Sequence, residues 1–531
     1  MFKSIILSLV AMFVVAGLTF AQDLVVQGTA SFTGTGKYTV KGNITNAGVS
    51  SAKKITGNVQ LAKNGAQSVG NSGQGPINFD TLVVVGSGTK TTAVNDSVQG
   101  LLDVANASGT FDIGANTLEL QDAITNTGAA ASPYAFSTSG SEVRYSKVSG
   151  NQSIFGTTYD KVTANGVSTF DLQGNVTANN TVSHTGGSMS ITNNFNANGA
   201  YSFATISDIT TAKALTLSAT GGSIATLTDA HGNIVNGSGT LTVTTLTNNH
   251  GIVTAAANNG PMSFVNPATN SGVILGGNGL VEFKDKLTTN DSLLAGLKMQ
   301  FDSLVTNSGG IAANATDTLN FKYNIANTGR IELVGSGYAY MMGSFSSVGT
   351  VNLATASTWN YDGASQSIAG AASGVTYGNL LTTGSGTKTA LGNVTLTGNF
   401  DNGGPGDLAI TTDMSTYTLS IGGTRDNTNG TMLFGGTNNG LLFTTGTVNY
   451  DASSGTQLVA GDATNNYNLL IFSNGGTKQI AAGVRVGTAS NLTISSSVIA
   501  DVNAATSQLI VLGNLINGGT LNNAGTVQVG N

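Results

Sequence analysis

The sequence predicts an all-β fold, a parallel β-solenoid built from stacked coils, on three observations. Glycine supplies 73 of the 531 residues and proline only 5. Short units recur in a fixed order along the chain, and apolar residues alternate with Thr, Ser and Asn between them. Hydrophobic residues make up 40%, charged residues 9% and aromatics 6%, with a net charge of −6 and a mean hydropathy of +0.11. Ordinary soluble domains carry about 25% charged residues. Disorder goes with high net charge and low hydrophobicity, so this composition argues for a folded chain. A pI near 5.0 with scattered lysines leaves no basic patch for phosphates and argues against nucleic acid as a partner. The Glu, Lys, Arg and Leu that a helical bundle needs are scarce.

Residues 1–21 read as a cleavable signal peptide. Lys3 gives a positive n-region, Ile5 to Phe20 is almost unbroken apolar sequence, and Thr19-Phe20-Ala21 places small residues before Gln22 at the cleavage-site positions. The apolar run is about long enough to span a membrane, but Ala21 is followed at once by polar, strand-like sequence with no positive flank, which favours cleavage. No other segment has the length and apolarity to span. The mature chain, 22–531, is therefore expected to carry no membrane span and to be secreted or displayed at the cell surface by a Sec-type route. There are no cysteines, so disulfides, thiolate metal sites and thiol catalysis are excluded. Burial and hydrogen bonding must hold the fold.

The repeats come next in order. One unit reads Asn360-Tyr361-Asp362, Gln366-Ser367-Ile368, Tyr377-Gly378-Asn379-Leu380 and Gly384-Ser385-Gly386-Thr387-Lys388. A second reads Asn449-Tyr450-Asp451, Gln457-Leu458-Val459, Tyr467-Asn468-Leu469 and Gly475-Gly476-Thr477-Lys478. Near the start stand Gln67-Ser68-Val69, Phe79-Asp80-Thr81-Leu82 and Gly86-Ser87-Gly88-Thr89-Lys90. A diverged copy has Tyr145, Gln152-Ser153-Ile154 and Tyr159-Asp160-Lys161-Val162. Gln and Lys lie 23, 22 and 21 residues apart in the three clear copies, as expected if turns absorb insertions while strands keep register. Asn-x-Gly triplets, among them Asn270-Ser271-Gly272, Asn307-Ser308-Gly309 and Asn327-Thr328-Gly329, read as corners, because Asn and Gly tolerate left-handed backbone. Coils stacked at about 4.8 Å give a rod on the order of 100 Å. The competing architecture is a row of antiparallel β-sandwich domains, against which no Pro-rich or charge-rich linker separates the copies. One stretch departs from the pattern: 282–304 mixes Asp291, Lys298 and Asp302 with Leu293, Leu294, Leu297, Met299 and Phe301, and is expected to be a side loop or a short helix.

The Gln-Ser-Ile, Tyr-x-Asn-Leu and Gly-x-Gly-Thr-Lys units and the Asn-x-Gly triplets resemble the repeats of large secreted surface proteins of Gram-negative bacteria, the haemagglutinin-like and autotransporter-passenger-like adhesins. The resemblance covers nearly all of the mature chain through rhythm and composition more than fixed residues. It implies a right-handed parallel β-helix at or beyond the cell surface, serving adhesion, biofilm or extracellular matrix. The autotransporters' C-terminal membrane barrel has no counterpart in this sequence, which ends inside a repeat at Thr526-Val527-Gln528-Val529-Gly530-Asn531.

Right-handed β-helices also include polysaccharide lyases and hydrolases, whose sites need clustered carboxylates. Here Asp80, Asp160, Asp362 and Asp451 stand singly, and the recurrence of Asp362 and Asp451 favours turn capping. The only local mixture of acids and bases is Glu282 to Asp302. His184, His231 and His250 are separated and read as solvated turn residues without metal-ligand spacing. Gly276-Gly277-Asn278-Gly279 and Gly403-Gly404-Pro405-Gly406-Asp407 are imperfect, isolated matches to a calcium-binding repeat. Gly-Ser-Gly-Thr-Lys lacks the spacing of a phosphate loop, and its recurrence marks a hairpin or corner. The expectation is a non-enzymatic, exported structural and adhesive protein with no catalytic, cofactor or metal residues, contacting glycan or protein surfaces multivalently. The alternatives are a polysaccharide lyase or hydrolase, and a fibre subunit that self-associates through its terminal coils.

Overall fold

The computed structural model describes residues 4–7, 18–20, 22–27, 34–47, 53–71, 74–130, 132–217, 220–228, 231–247, 252–255, 260–347, 349–370, 375–402, 410–413, 417–422, 433–434, 440–442, 447–461 and 466–530. These contain strands, turns and bends and no helix, and so no helix able to cross a membrane. Neighbouring coils pair in parallel, giving about 21 turns of β-solenoid. Antiparallel sandwiches would need hairpin pairing, so the competing architecture is set aside. Most of the leader reading, 1–21, the calcium-like 403–407 and His250 lie outside the described residues.

The coils fall into two compact units, Met1–Ser263 and Phe264–Asn531. In the first, Lys37–Val40, Lys53–Leu61 and Ile77–Val84 stack in parallel, with a bulge between Ile55 and Asn58. Gly57 occupies that bulge at φ 94, a left-handed conformation that suits glycine. In the second unit a coil has three strands, Val305–Asn307, Gly310–Ala313 and Thr318–Phe321, each stacked on the strand 20 residues later. Alternate residues point inward, as in the intermediate–buried alternation of Thr318–Phe321. Small polar residues on the outer positions leave burial of the inner ones to set the register.

The segment 282–304 is neither side loop nor helix. Leu287–Thr289, Ser292–Ala295 and Lys298–Phe301 form one more coil in register with the next. Leu293, Leu294, Leu297 and Phe301 fall at helix-like spacing, but Leu293 and Phe301 are inward strand positions while Leu297 is 56% exposed at a corner. Stacking on both sides overrides that local pattern.

Inside the second unit, identical side chains pile up at coil spacing. Phe264, Phe283, Phe301 and Phe321 stack with centroids 4.8, 5.5 and 4.8 Å apart and ring planes within 10°. A second interior column runs Asn270, Thr289, Asn307, Asn327, Ser347. Asn307 Nδ2 donates to Asn327 Oδ1 at 2.6 Å, and Asn327 Nδ2 to Ser347 Oγ at 2.9 Å. These Asn-x-Gly asparagines end strands and face inward, instead of turning corners in left-handed conformation: Asn307 is fully buried, and among the described residues the positive-φ residues other than glycine are Ala129, Ala212 and Asn474. The glycine is fixed by close approach. A Cβ on Gly329 would lie 2.1 Å from Gly309 O, and one on Gly349 2.0 Å from Gly329 O.

The longer repeat is also an interior device. Gln366 Nε2 donates to Met341 O and Gly343 O of the preceding coil, at 2.6 and 2.7 Å, and its Oε1 accepts from Gly363 N. Gln67 and Gln152 donate to equivalent carbonyl pairs. Lys388, in register with Gln366, is fully buried and donates to the carbonyls of Gly363, Ala364 and Ser385. Lys90 repeats this on Lys63, Gly65 and Ser87 at 2.8, 2.9 and 2.6 Å. The lysine of Gly-x-Gly-Thr-Lys therefore lies in a strand and stitches corner carbonyls, where the sequence suggested only a corner. Burial pulls Lys90 and Lys478 down to about 8. In the diverged copy the position opposite Gln152 is Phe170.

His184 corrects another expectation. It ends the strand Val176–His184 with 1% exposure, edge-on to Phe170 at 5.8 Å, instead of lying in a solvated turn. Burial pushes its pKa from 6.5 down to about 4, against a smaller opposing pull from the Gly186 backbone. Below pH 6.5 the unfolded chain takes up a proton that the folded chain refuses, so stability falls as pH drops from 6.5 towards 4. The loss is on the order of 3 kcal/mol. His184→Phe is expected to flatten this part of the acid melting profile of the first unit; an unchanged slope would show that His184 titrates normally. His231 is a surface residue, with Nδ1 3.1 Å from Asp208 Oδ1.

Candidate binding face on the second unit

Charge is distributed by a rule that stacking imposes. Like charges one coil apart would sit about 5 Å from each other and repel. Where charged residues lie opposite each other in the described registers they are of opposite sign, Glu119 to Arg144 and Glu142 to Lys161. Other pairs lie along a strand, two residues apart on one face: Arg144 binds Glu142 with two contacts of 2.9 Å, and Arg330 reaches Glu332 at 2.5 Å.

The acid-and-base stretch singled out in the sequence is part of such a face. Glu282, Gln300, Asn320, Tyr340 and Asn360 form one column on the side of the strands away from the core, in which Glu282, Asn320 and Tyr340 are part-exposed and Gln300 and Asn360 are buried by their neighbours. Beside it, the residues that follow those strands read Lys284, Asp302, Lys322, Met342, Asp362, and each donates its backbone N–H to the coil before. Gln300, 8% exposed, gives its amide to Glu282 Oε1 at 3.1 Å and to Asp302 Oδ1 at 3.0 Å. Lys322 Nζ lies 2.9 Å from Asp302 Oδ1, and Lys284 Nζ 3.5 Å from Glu282 Oε2. Both carboxylates are thus held by an amide and an ammonium. Of the other two acids of this stretch, Asp285 accepts the Lys286 N–H at 2.7 Å and Asp291 the Ser292 hydroxyl at 3.0 Å.

Further along the same face the tyrosines pair. Tyr338 and Tyr340 have ring centroids 4.4 Å apart, and burial raises the Tyr338 pKa. Thr383 Oγ1 donates to Asn360 Oδ1 at 2.9 Å and to Asp362 Oδ1 at 2.5 Å. The recurrent aspartates likewise cap backbone: Asp80 accepts from Gly57 N and Asp160 from Gly140 N, at 3.2 and 2.9 Å. Asp451 is different, since burial raises its pKa against the attraction of Lys478.

The face offers ionised and amide hydrogen-bonding groups with half-buried aromatics, and its charges are paired locally. Among the described residues no group of three or more His, Asp and Glu is placed to hold a metal ion. Sequence reading found Glu282 and Asp302 but missed Lys322, Tyr338, Tyr340 and Asn360. The signal was the coil period itself, since Lys322 and Asn360 follow Asp302 and Tyr340 by one coil of 20 residues, and Tyr338 and Tyr340 follow Lys298 and Gln300 by two. No family model, curated protein or solved structure matches the chain.

Proposed function

We propose that the chain is an exported, non-enzymatic structural and adhesive protein of the cell surface or extracellular matrix, contacting glycan or protein surfaces through many weak contacts. The observation that carries this reading is the outward column Glu282–Gln300–Asn320–Tyr340–Asn360 with its charged neighbours, in which hydrogen-bonding chemistry recurs at every coil. Repetition at fixed spacing favours avidity for an extended surface. Export rests on the leader-like 1–21 of the sequence.

The test uses the full chain expressed with its own leader in a Gram-negative host. The expected result is an extracellular or surface product whose mass corresponds to a start at Gln22, and retention on glycan- or matrix-coated beads that falls steeply as coating density is lowered. Cytoplasmic retention together with no bead binding would overturn the reading. A fall in polysaccharide viscosity that Asp302→Asn abolishes would replace it with the lyase or hydrolase alternative.

A further inference from the structure

A groove crosses the coils of the second unit on a different sheet from the polar face. Its floor is the outward column Leu275, Leu294, Ala312, Glu332, Asn352, Thr376, one residue per coil in unbroken register. Two depressions of about 330 and 480 Å³ meet at Glu332. Six strands at the usual spacing make a groove about 24 Å long, running along the stacking direction.

Small residues make it concave. Gly310 and Ala312 share one strand, flanked in register by Ser292 and Leu294 on one side and by Arg330 and Glu332 on the other. Glycines such as Gly309, Gly329 and Gly349 are forced by backbone of the preceding coil, but Gly310 is not. A Cβ there would meet nothing closer than Ser292 Oγ at 3.9 Å, and Gly310 is not among the positive-φ glycines. Glycine in a strand is destabilising relative to a residue with a side chain, because it loses more backbone freedom on folding. Stacking does not account for that cost; keeping the groove open does.

We propose that this groove seats an uncharged polysaccharide chain lying along the coils; the inference deepens the adhesive reading and rests on it. The floor begins aliphatic at Leu275 and Leu294, passes the mutually paired Arg330 and Glu332, and ends on amide and hydroxyl at Asn352 and Thr376. Sugar rings present apolar C–H faces and hydroxyl edges that match this sequence, and paired guanidinium and carboxylate groups hold hydroxyls as donor and acceptor. An anionic polymer would need unpaired cations. A peptide gains no strand edge here, since the backbone of each floor strand is hydrogen-bonded to the coils on both sides.

The test is calorimetric titration of the full chain with neutral glucan, mannan and galactan oligosaccharides, an anionic oligosaccharide and extended peptides, at low and high salt. At least one neutral oligosaccharide is expected to bind with little salt dependence. Gly310→Val and Ala312→Trp should each weaken it at least about tenfold, while Gly310→Val leaves the melting temperature unchanged or higher, a separation that damage to the fold would not produce. Binding of only the anionic oligosaccharide or a peptide, or of no neutral oligosaccharide, overturns the inference. So does wild-type affinity in both variants; if the chain still adheres to glycan-coated beads in that case, the groove falls and the adhesive reading stands.

Discussion

Gly309→Ala and Gly310→Ala, adjacent changes of one methyl group each, are expected to shift stability in opposite directions. A Cβ on Gly309 would lie 2.3 Å from Asp291 O and 2.4 Å from Asp291 N, both backbone atoms of the coil before. Neither can move without breaking the ladder that Ser292–Ala295 forms with Gly310–Ala313. Overpacking of this kind costs about 3 kcal/mol. At Gly310 the nearest atom is 3.9 Å away, and alanine should gain about 0.5 kcal/mol through a less flexible unfolded chain. Because stacked repeats lose cooperativity, the sensitive measurement is amide hydrogen exchange across 305–333. Protection should fall in Gly309→Ala and hold or rise in Gly310→Ala. Equal effects would mean that coil separation is soft and that the Asn-x-Gly glycines have another cause.

Tyr361→Phe and Tyr377→Phe are each expected to cost about 2 kcal/mol, and the double variant no more than about either alone. Ala369 N–H donates to Tyr361 Oη at 3.2 Å and Tyr377 Oη donates to Ala369 O at 2.9 Å, so the 2.8 Å contact between the hydroxyls must run from Tyr361 to Tyr377. Burial pushes Tyr361 up to about 12, which keeps its proton in place. Removing one hydroxyl strands buried partners; removing both leaves the Ala369 amide and carbonyl as the remaining loss. The same cycle closes through Phe155 with Tyr145 and Tyr159, and through Ala460 with Tyr450 and Tyr467. In the first copy Val40, whose carbonyl Gln67 binds, lies in register with Leu61, just as Met341, bound by Gln366, lies in register with Tyr361. Leu61 and Phe79 there lack both hydroxyls together. Additive losses in a thermal double-mutant cycle would show the hydroxyls acting independently.

The repeats were legible because stacking makes sequence periodic: a residue that must match its neighbour one coil away recurs about 20 residues on. Gln366 and Lys388 were visible as a motif, but their role was not, because the carbonyls they bind belong to the backbone of another coil and leave no trace in residue type. Asn307 and His184 were misread for a related reason. Asn in a turn and Asn in an interior ladder look alike until a partner such as Asn327 is placed 2.6 Å away. The coil at 282–304 was hidden by charged residues, Glu282 and Asp302, whose partners Gln300 and Lys322 each lie one coil further along the chain.

By itself the sequence determined the all-β class, the coil period, the absence of disulfides and the scarcity of charge. Each follows from composition or from correlation along the chain. Tertiary structure decided which way each strand residue faces, which glycines are forced and which, like Gly310, are free, and which polar groups meet. The 9% charge first excluded ordinary domains; the stacked coils show why it is low, since like charges one coil apart repel, and charges that are kept include pairs of opposite sign such as Glu119 with Arg144 and lysines such as Lys90 and Lys388 held by backbone carbonyls.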